Sequence, residues 1–159
     1  MKQHTYKVEV NWTGNDGKGT KSYKDYRRDH IIVSEGKPQI VGSSDPSFRG
    51  DSARYNPEEL LVASLSACHM LWYLHLCAVN QVTVVDYRDA ASGVMEERED
   101  GSGAFVRVLL KPMVKISASD DQEKALALHS EAHRYCFIAN SVRFPVEICP
   151  EIAAIPVPA

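Results

Sequence analysis

Tyr6, Val8, Val10 and Trp12 alternate with Thr5, Lys7, Glu9 and Asn11, the two-residue period of a half-buried strand over residues 5–12. Gly14-Asn15-Asp16-Gly17-Lys18-Gly19 supplies turn chemistry after it, and the run from Ser22 to Val33 reads as a return strand that closes an N-terminal hairpin. Residues 34–55 are rich in Gly, Pro, Ser and Asp. They fit either a short strand at Gln39-Ile40-Val41 or a long loop of the kind that often carries function.

The pattern then changes to a helical period. Asn56 is placed as an N-cap, Pro57 at the first helical position where its missing N–H costs nothing, and Glu58 and Glu59 at the positive end of the dipole. Leu61, Leu65, Cys68, Trp72 and His75 recur at spacings of three and four, and Leu60, Ala67, Leu71 and Leu74 widen the stripe. The expectation is a helix over 56–79 covered on most of its surface, by sheets or by a second subunit. Residues 82–89 and 104–117 read as two further strands pairing as a hairpin, joined by the polar, acidic stretch from Met95 to Gly103. Ser119 and Gln122 have capping-box spacing, and Ala125, Leu128, Ala132 and Cys136 share a face, which predicts a second helix over 120–136. Phe144, Val146 and Ile148 alternate into a last strand over 142–149. The element order gives an α+β chain with antiparallel sheet, in one domain spanning residues 1–159.

Composition narrows the function classes. Hydrophobic residues make up 44% and charged residues 25%, the balance of a globular protein and not of a disordered or fibrous one. A net charge of −3, with no Lys/Arg cluster, argues against a nucleic-acid partner. The first eight residues lack the apolar core of a signal peptide, so a bacterial-type cytoplasmic location is expected. The most apolar stretch, Leu60 to Val79, is interrupted by His69 and His75 and reads as a buried helix, with no membrane role expected. The four cysteines, Cys68, Cys77, Cys136 and Cys149, form no CxxC pair. A chain with an ample core needs no disulfide framework, so reduced thiols at rest are expected.

Cys68 and Cys136 therefore stand out as candidate chemistry. Each lies late in a predicted helix on its apolar face. Either is by itself as well explained as a small core hydrophobe; the pair supplies an attacking and a resolving sulfur. A guanidinium lowers a thiol pKa, and a carboxylate can hold that guanidinium in place. Glu58 is the candidate carboxylate and Arg28 or Arg49 the candidate guanidinium, although all three are equally readable as a helix-start charge and solvated surface charges. Glu58 precedes Cys68 by ten residues, roughly 15 Å of helical rise, so a bridge is required. His129 and His133, with Cys136 three residues on, have a spacing compatible with metal ligands on one helix face. A histidine pair on a polar helix is more often solvated, and neither a metal nor a cofactor is expected.

Asn56-Pro57-Glu58-Glu59-Leu60-Leu61 leading to Ser66-Ala67-Cys68, with Cys136 on a second helix before a closing strand, resembles the OsmC/Ohr family. That family comprises osmotically inducible protein C and the organic hydroperoxide resistance proteins. The resemblance covers nearly the whole chain. It implies an α+β fold with sheets wrapped around two central helices, two chains intertwined as a homodimer, and a peroxiredoxin-like peroxidase active in the oxidative stress response. It assigns peroxide attack to Cys68, resolution as a disulfide to Cys136, and the thiolate clamp to Glu58 and an arginine. It also implies an organic hydroperoxide as substrate and a dithiol, a lipoylated protein or dihydrolipoamide, as reductant. An apolar funnel at Leu65, Trp72 and nearby aromatics suits bulky peroxides. Two departures from the family pattern are visible. The Gly-Gly-Arg turn that carries the arginine in the Ohr branch is replaced by Gly14-Asn15-Asp16-Gly17, which leaves Arg28 or Arg49. The usual Cys-Pro-Val-Ser after the resolving cysteine is replaced by Cys136-Phe137-Ile138-Ala139.

Overall fold

The computed structural model describes residues 1–156, which form an α+β chain divided into two compact units, one up to Leu60 and one from Leu61 onward. The N-terminal unit is built on an antiparallel sheet of β1 (Glu9–Trp12), β2 (His30–Val33) and β3 (Ile40–Gly42). β1 and β2 pair as the hairpin expected from the alternation, with Glu9 opposite Val33 and Trp12 opposite His30. The strands are shorter than predicted. Residues 13–29, two thirds of the expected return strand among them, form an irregular loop instead. Polar side chains fold that segment back on itself. The Trp12 indole donates to the Arg27 carbonyl at 2.8 Å, and the Arg27 guanidinium bridges Asp16 at 2.9 Å and buried Asp29 at 2.6 Å. Of the alternatives at residues 39–41, the strand forms.

The second unit is organised by two helices, α1 (Pro57–Val79, which begins in the first unit) and α2 (Gln122–Tyr135). α1 starts where its caps predict: Asn56 Oδ1 accepts from Glu59 N at 2.7 Å, and Glu59 Oε2 accepts from Asn56 N at 3.1 Å. That reciprocal pair is a capping box, and it uses Glu59, leaving Glu58 uninvolved. α2 starts two residues later than expected, because Asp121, and not Ser119, accepts from the backbone N–H groups of Glu123 and Lys124. Cys136 follows the last turn as the C-cap residue.

Two three-stranded sheets complete this unit: β4 (Val84–Asp89) with β7 (Pro112–Ser117) and β9 (Glu151–Ile155), and β5 (Ser92–Glu97) with β6 (Gly103–Leu110) and β8 (Val146–Ile148). The predicted hairpin over 82–117 is there, but each arm is broken into two strands. The run 104–117 breaks at Lys111, whose N–H donates to the Asp89 carboxylate at 2.7 Å. The first three residues of the expected acidic connection belong to strand β5 and its last to β6, so the connection itself shrinks to five residues, Arg98 to Ser102, turning at Gly101 with φ 80°. The sheets are mixed and not purely antiparallel, since β8 joins β6 and β9 joins β7 in parallel. The predicted last strand is confined to Val146–Ile148. A further strand, β9, follows it, so Cys149 lies between two strands.

The core is in two parts. Tyr73, Leu76 and Cys77 of α1 pack with Val114 and Ile116 of β7 and with Ala125, Leu128 and Ala132 of α2. Leu65 of α1 packs with Val108 and Leu110 of β6. α1 thus buries a single stripe, Leu65, His69, Tyr73, Leu76 and Cys77, and is not covered all round. Ala63, Ala67, Leu71 and Ala78 face outward, and Leu71 is 63% exposed. Its most apolar 18 residues average 1.5 in mean hydropathy, long and apolar enough by composition to cross a membrane. The buried histidine on its packed stripe, hydrogen-bonded to α2, is how a core helix is built.

Candidate active site

Cys68 stands on the third turn of α1, partly exposed, while Cys136 is buried at the end of α2. Packing of the two helices brings the Cys68 thiol near that of Cys136. The backbone N–H of Ala139, at the start of the short 3-10 turn Ala139–Ser141, donates to the Cys136 sulfur at 3.4 Å. Burial, reinforced by the neighbouring Cys68 thiol, pushes the Cys136 thiol up to about 11, so at neutral pH Cys136 is a protonated thiol. Of the pair, the partly exposed sulfur is the one a solute can reach. The remaining cysteines stand apart. Cys77 is buried beside the Tyr73 hydroxyl and its thiol pKa is raised by that burial, and Cys149 is exposed between β8 and β9.

Aromatic rings rim the thiol pair. Trp72, one turn after Cys68, stacks on Tyr135 at 5.1 Å between centroids and meets Phe137 edge-on at 5.5 Å. Tyr135 and Phe137 are the two sequence neighbours of Cys136. Phe137 is 68% exposed, and Arg134 lies over the Tyr135 ring at 4.4 Å and donates to its hydroxyl at 2.9 Å. Aromatic side chains therefore cluster at Trp72. Leu65 does not join that cluster, being fully buried in the β6 part of the core.

The predicted clamp residues lie earlier in the chain. Glu58 sits in the first turn of α1, and the helix runs unbroken from there to Cys68, so the ten-residue spacing keeps roughly 15 Å of rise between them. Among the described residues Glu58 makes no side-chain hydrogen bond or ion pair. Arg28 is held within the N-terminal unit, between the rings of Tyr23 and Tyr26 at 4.3 and 4.1 Å, and donates to the Tyr26 and Tyr23 carbonyls. Arg49 sits in the left-handed region at φ 66°, exposed, with only the Tyr23 ring near its guanidinium at 5.8 Å. Of the two arginines, Arg49 is the one whose donors are uncommitted.

A buried histidine pair is the feature that the sequence reading passed over. His69 Nε2 and His129 Nδ1 are 3.0 Å apart, and the His129 ring stacks on Tyr73 at 3.8 Å. Both rings are almost wholly buried. Desolvation holds His69 down to about 4 and His129 down to about 3. His129 is thus a core residue and not the solvated histidine that its helix suggested. The available signal was its place next to Leu128 on the Ala125–Ala132 stripe. Cys136, turned to Cys68, does not join His129 and His133. Among the described residues no group of three or more His, Cys, Asp or Glu side chains is placed to hold a metal ion.

A family model of OsmC-like proteins matches residues 50–151. An OsmC-like protein of unknown function from Vibrio cholerae is 32% identical, with a TM-score of 0.80 over 96% of this chain and 100% of that one. An organic hydroperoxide resistance protein from Elizabethkingia anophelis, solved with thiocyanate bound, is 18% identical with a TM-score of 0.64, over 97% of this chain and 100% of its own. One from Legionella pneumophila is 17% identical with a TM-score of 0.63, over 96% of this chain and 100% of its own. The last two likenesses are of fold. No curated protein matches the chain.

Proposed function

The chain belongs to the family of OsmC-like proteins, and we propose that within it this protein is a cysteine-based peroxidase for organic hydroperoxides. The observation that carries the proposal is the nearness of a reachable thiol, Cys68 of α1, to a buried one, Cys136 at the end of α2, in one chain. In the reaction the Cys68 thiolate attacks the terminal oxygen of ROOH, the O–O bond breaks, and ROH leaves after taking up a proton. Cys68 becomes a sulfenic acid. The Cys136 thiol attacks that sulfur, water is released, and an intrachain disulfide forms. A dithiol reduces it by thiol–disulfide exchange, and a dihydrolipoyl group, free or on a carrier protein, is the reductant proposed.

Arg49 and Glu58 are the proposed clamp, since both carry charged groups with no other side-chain ion pair or hydrogen bond among the described residues. A guanidinium beside Cys68 would favour its thiolate, and a carboxylate would orient the guanidinium through a bidentate pair. The proposed working unit is a homodimer, supported by the outward apolar stripe of α1. Turnover of cumene hydroperoxide with dihydrolipoamide tests the activity: many equivalents of peroxide consumed per chain are expected. A reading as a non-enzymatic binder predicts loss of two thiols per chain and then no further consumption.

A further inference from the structure

Along α2, Leu126, His129, Ser130 and His133 form one stripe, and Val146, Ile148 and Pro150 from β8 and the turn after it face them across a cavity of about 400 Å³. That is within the size range of small-molecule sites. The cavity is lined by neither of the paired cysteines. Among the described residues no lysine, arginine or carboxylate lines it either. Its polar content is two imidazoles and one hydroxyl.

Two of the lining side chains, His129 and His133, each carry a buried ring nitrogen, Nε2 and Nδ1 respectively, without a hydrogen-bond partner among the described residues. His129 itself is 2% exposed. A buried polar atom without a partner is costly, and in native proteins it commonly marks the place of an absent water or ligand. The second nitrogen of His129 is engaged by His69 Nε2 on the side toward α1, so the free Nε2 points away from that contact.

The proton shared by these two rings sets what Nε2 can do. When it resides on His129 Nδ1, Nε2 carries a lone pair and accepts. When it resides on His69 Nε2, His129 Nδ1 accepts and Nε2–H donates. Burial keeps both rings neutral, so each carries one proton in either form, and the two forms differ at the outer nitrogen of each ring as well as at the shared proton.

We propose that this cavity is a binding site for a small, uncharged, hydroxyl-bearing organic molecule, a phenol or an aliphatic alcohol. Its hydroxyl pairs with His129 Nε2 and His133 Nδ1, and its hydrocarbon part lies on Leu126, Val146, Ile148 and Pro150. A hydroxyl both donates and accepts, so it can pair with the two orphaned nitrogens in either form. A carboxylate finds no cation there, and an apolar molecule leaves both nitrogens unpaired. The site is independent of the peroxidase reading.

The test is a titration of the reduced full chain at pH 8, followed by the ¹H–¹³C signals of the histidine rings, with phenol, benzoate and toluene as probes. Phenol is expected to shift His129 and His133 saturably, with contacts from its ring protons to the methyls of Leu126, Val146 and Ile148. Benzoate and toluene are expected to bind about tenfold or more weakly. Leu126→Trp, at a half-exposed position, should fill the cavity and remove the phenol response while leaving Cys68 chemistry intact. The unmodified protein alone decides the matter if that variant does not fold. Absence of saturable histidine shifts overturns the proposal. So does benzoate or toluene binding as tight as phenol, a phenol response that survives in folded Leu126→Trp, or contacts to Trp72 and Phe137 in place of the cavity methyls.

Discussion

His69 Nε2 lies 3.0 Å from His129 Nδ1, joining α1 to α2 through two neutral imidazoles that are almost completely buried. One hydrogen bond between buried rings is worth about 1 kcal/mol net. Its greater consequence is what happens when either ring must accept a proton.

Acid should unfold this protein through that pair. An unfolded chain takes up protons on both histidines near pH 6.5, whereas the folded chain holds them off until about 4 for His69 and about 3 for His129. The folded pKa values are depressed, so stability is fully present above about 6.5 and is lost as pH falls from there toward 4. Between about pH 6 and 4 the unfolded state binds up to two more protons, a slope of roughly 2.7 kcal/mol per pH unit. Urea midpoints measured from pH 8 to 4 should be flat above 7 and fall steeply below 6. A constant midpoint down to pH 5 would show that the pair is not buried as described.

The nearness of the two thiols makes a second prediction. One equivalent of cumene hydroperoxide should yield a Cys68–Cys136 disulfide within one chain, visible by peptide mapping, with Cys77 and Cys149 still reduced. In Cys136→Ser the reaction should stop at a sulfenic acid trappable on Cys68, which further peroxide converts to sulfinic acid. Cys68→Ser should abolish consumption. Two free thiols after full peroxide turnover would leave Cys136 as a core residue only.

The two adjacent glutamates should separate cleanly. Glu59 closes the capping box with Asn56, so Glu59→Ala should cost about 1 kcal/mol of stability. Glu58 makes no such bond, and Glu58→Ala should stay within about 0.5 kcal/mol of the parent while lowering peroxide turnover, as should Arg49→Ala. Equal loss of stability in both glutamate variants, with turnover unchanged in Glu58→Ala, would remove Glu58 from the clamp.

What could be read from the chain depended on how local its cause was. The start of α1 at Pro57 was legible because Asn56, Pro57 and Glu59 act within four residues. The buried face of α2 was legible from the spacing of Ala125, Leu128 and Ala132. Ser92–Glu97 was not, since every residue of β5 is exposed and only pairing with β6 makes it a strand. β9 was missed for a related reason: its partner β7 is distant in sequence and parallel, and Pro150 and Pro156 make the segment look like a tail. Cys68 and Cys136 could be singled out together because each continues an apolar spacing, Leu61, Leu65 and Trp72 around the first and Ala125, Leu128 and Ala132 before the second. The bond between His69 and His129 was not legible, because it joins residues 60 apart whose own helices give no sign of it.

The outward face of α1 should be the seat of self-association. Ala63, Ala67, Leu71 and Ala78 recur at spacings of four and seven and are exposed, and the small residues among them let two helices approach closely. Leaving such a stripe in water is unfavourable by roughly 25 cal/mol per Å² of apolar surface, and a second copy of the chain would cover it. Leu71→Lys places a charge at the most exposed large side chain of that stripe, away from the buried residues of α1, so the fold should persist. Light scattering at micromolar concentration should give a dimer for the parent protein and a monomer, or a dimer weakened at least tenfold, for Leu71→Lys. A folded parent that is monomeric would refute the homodimer. A variant as dimeric as the parent would move the interface to another surface of the chain.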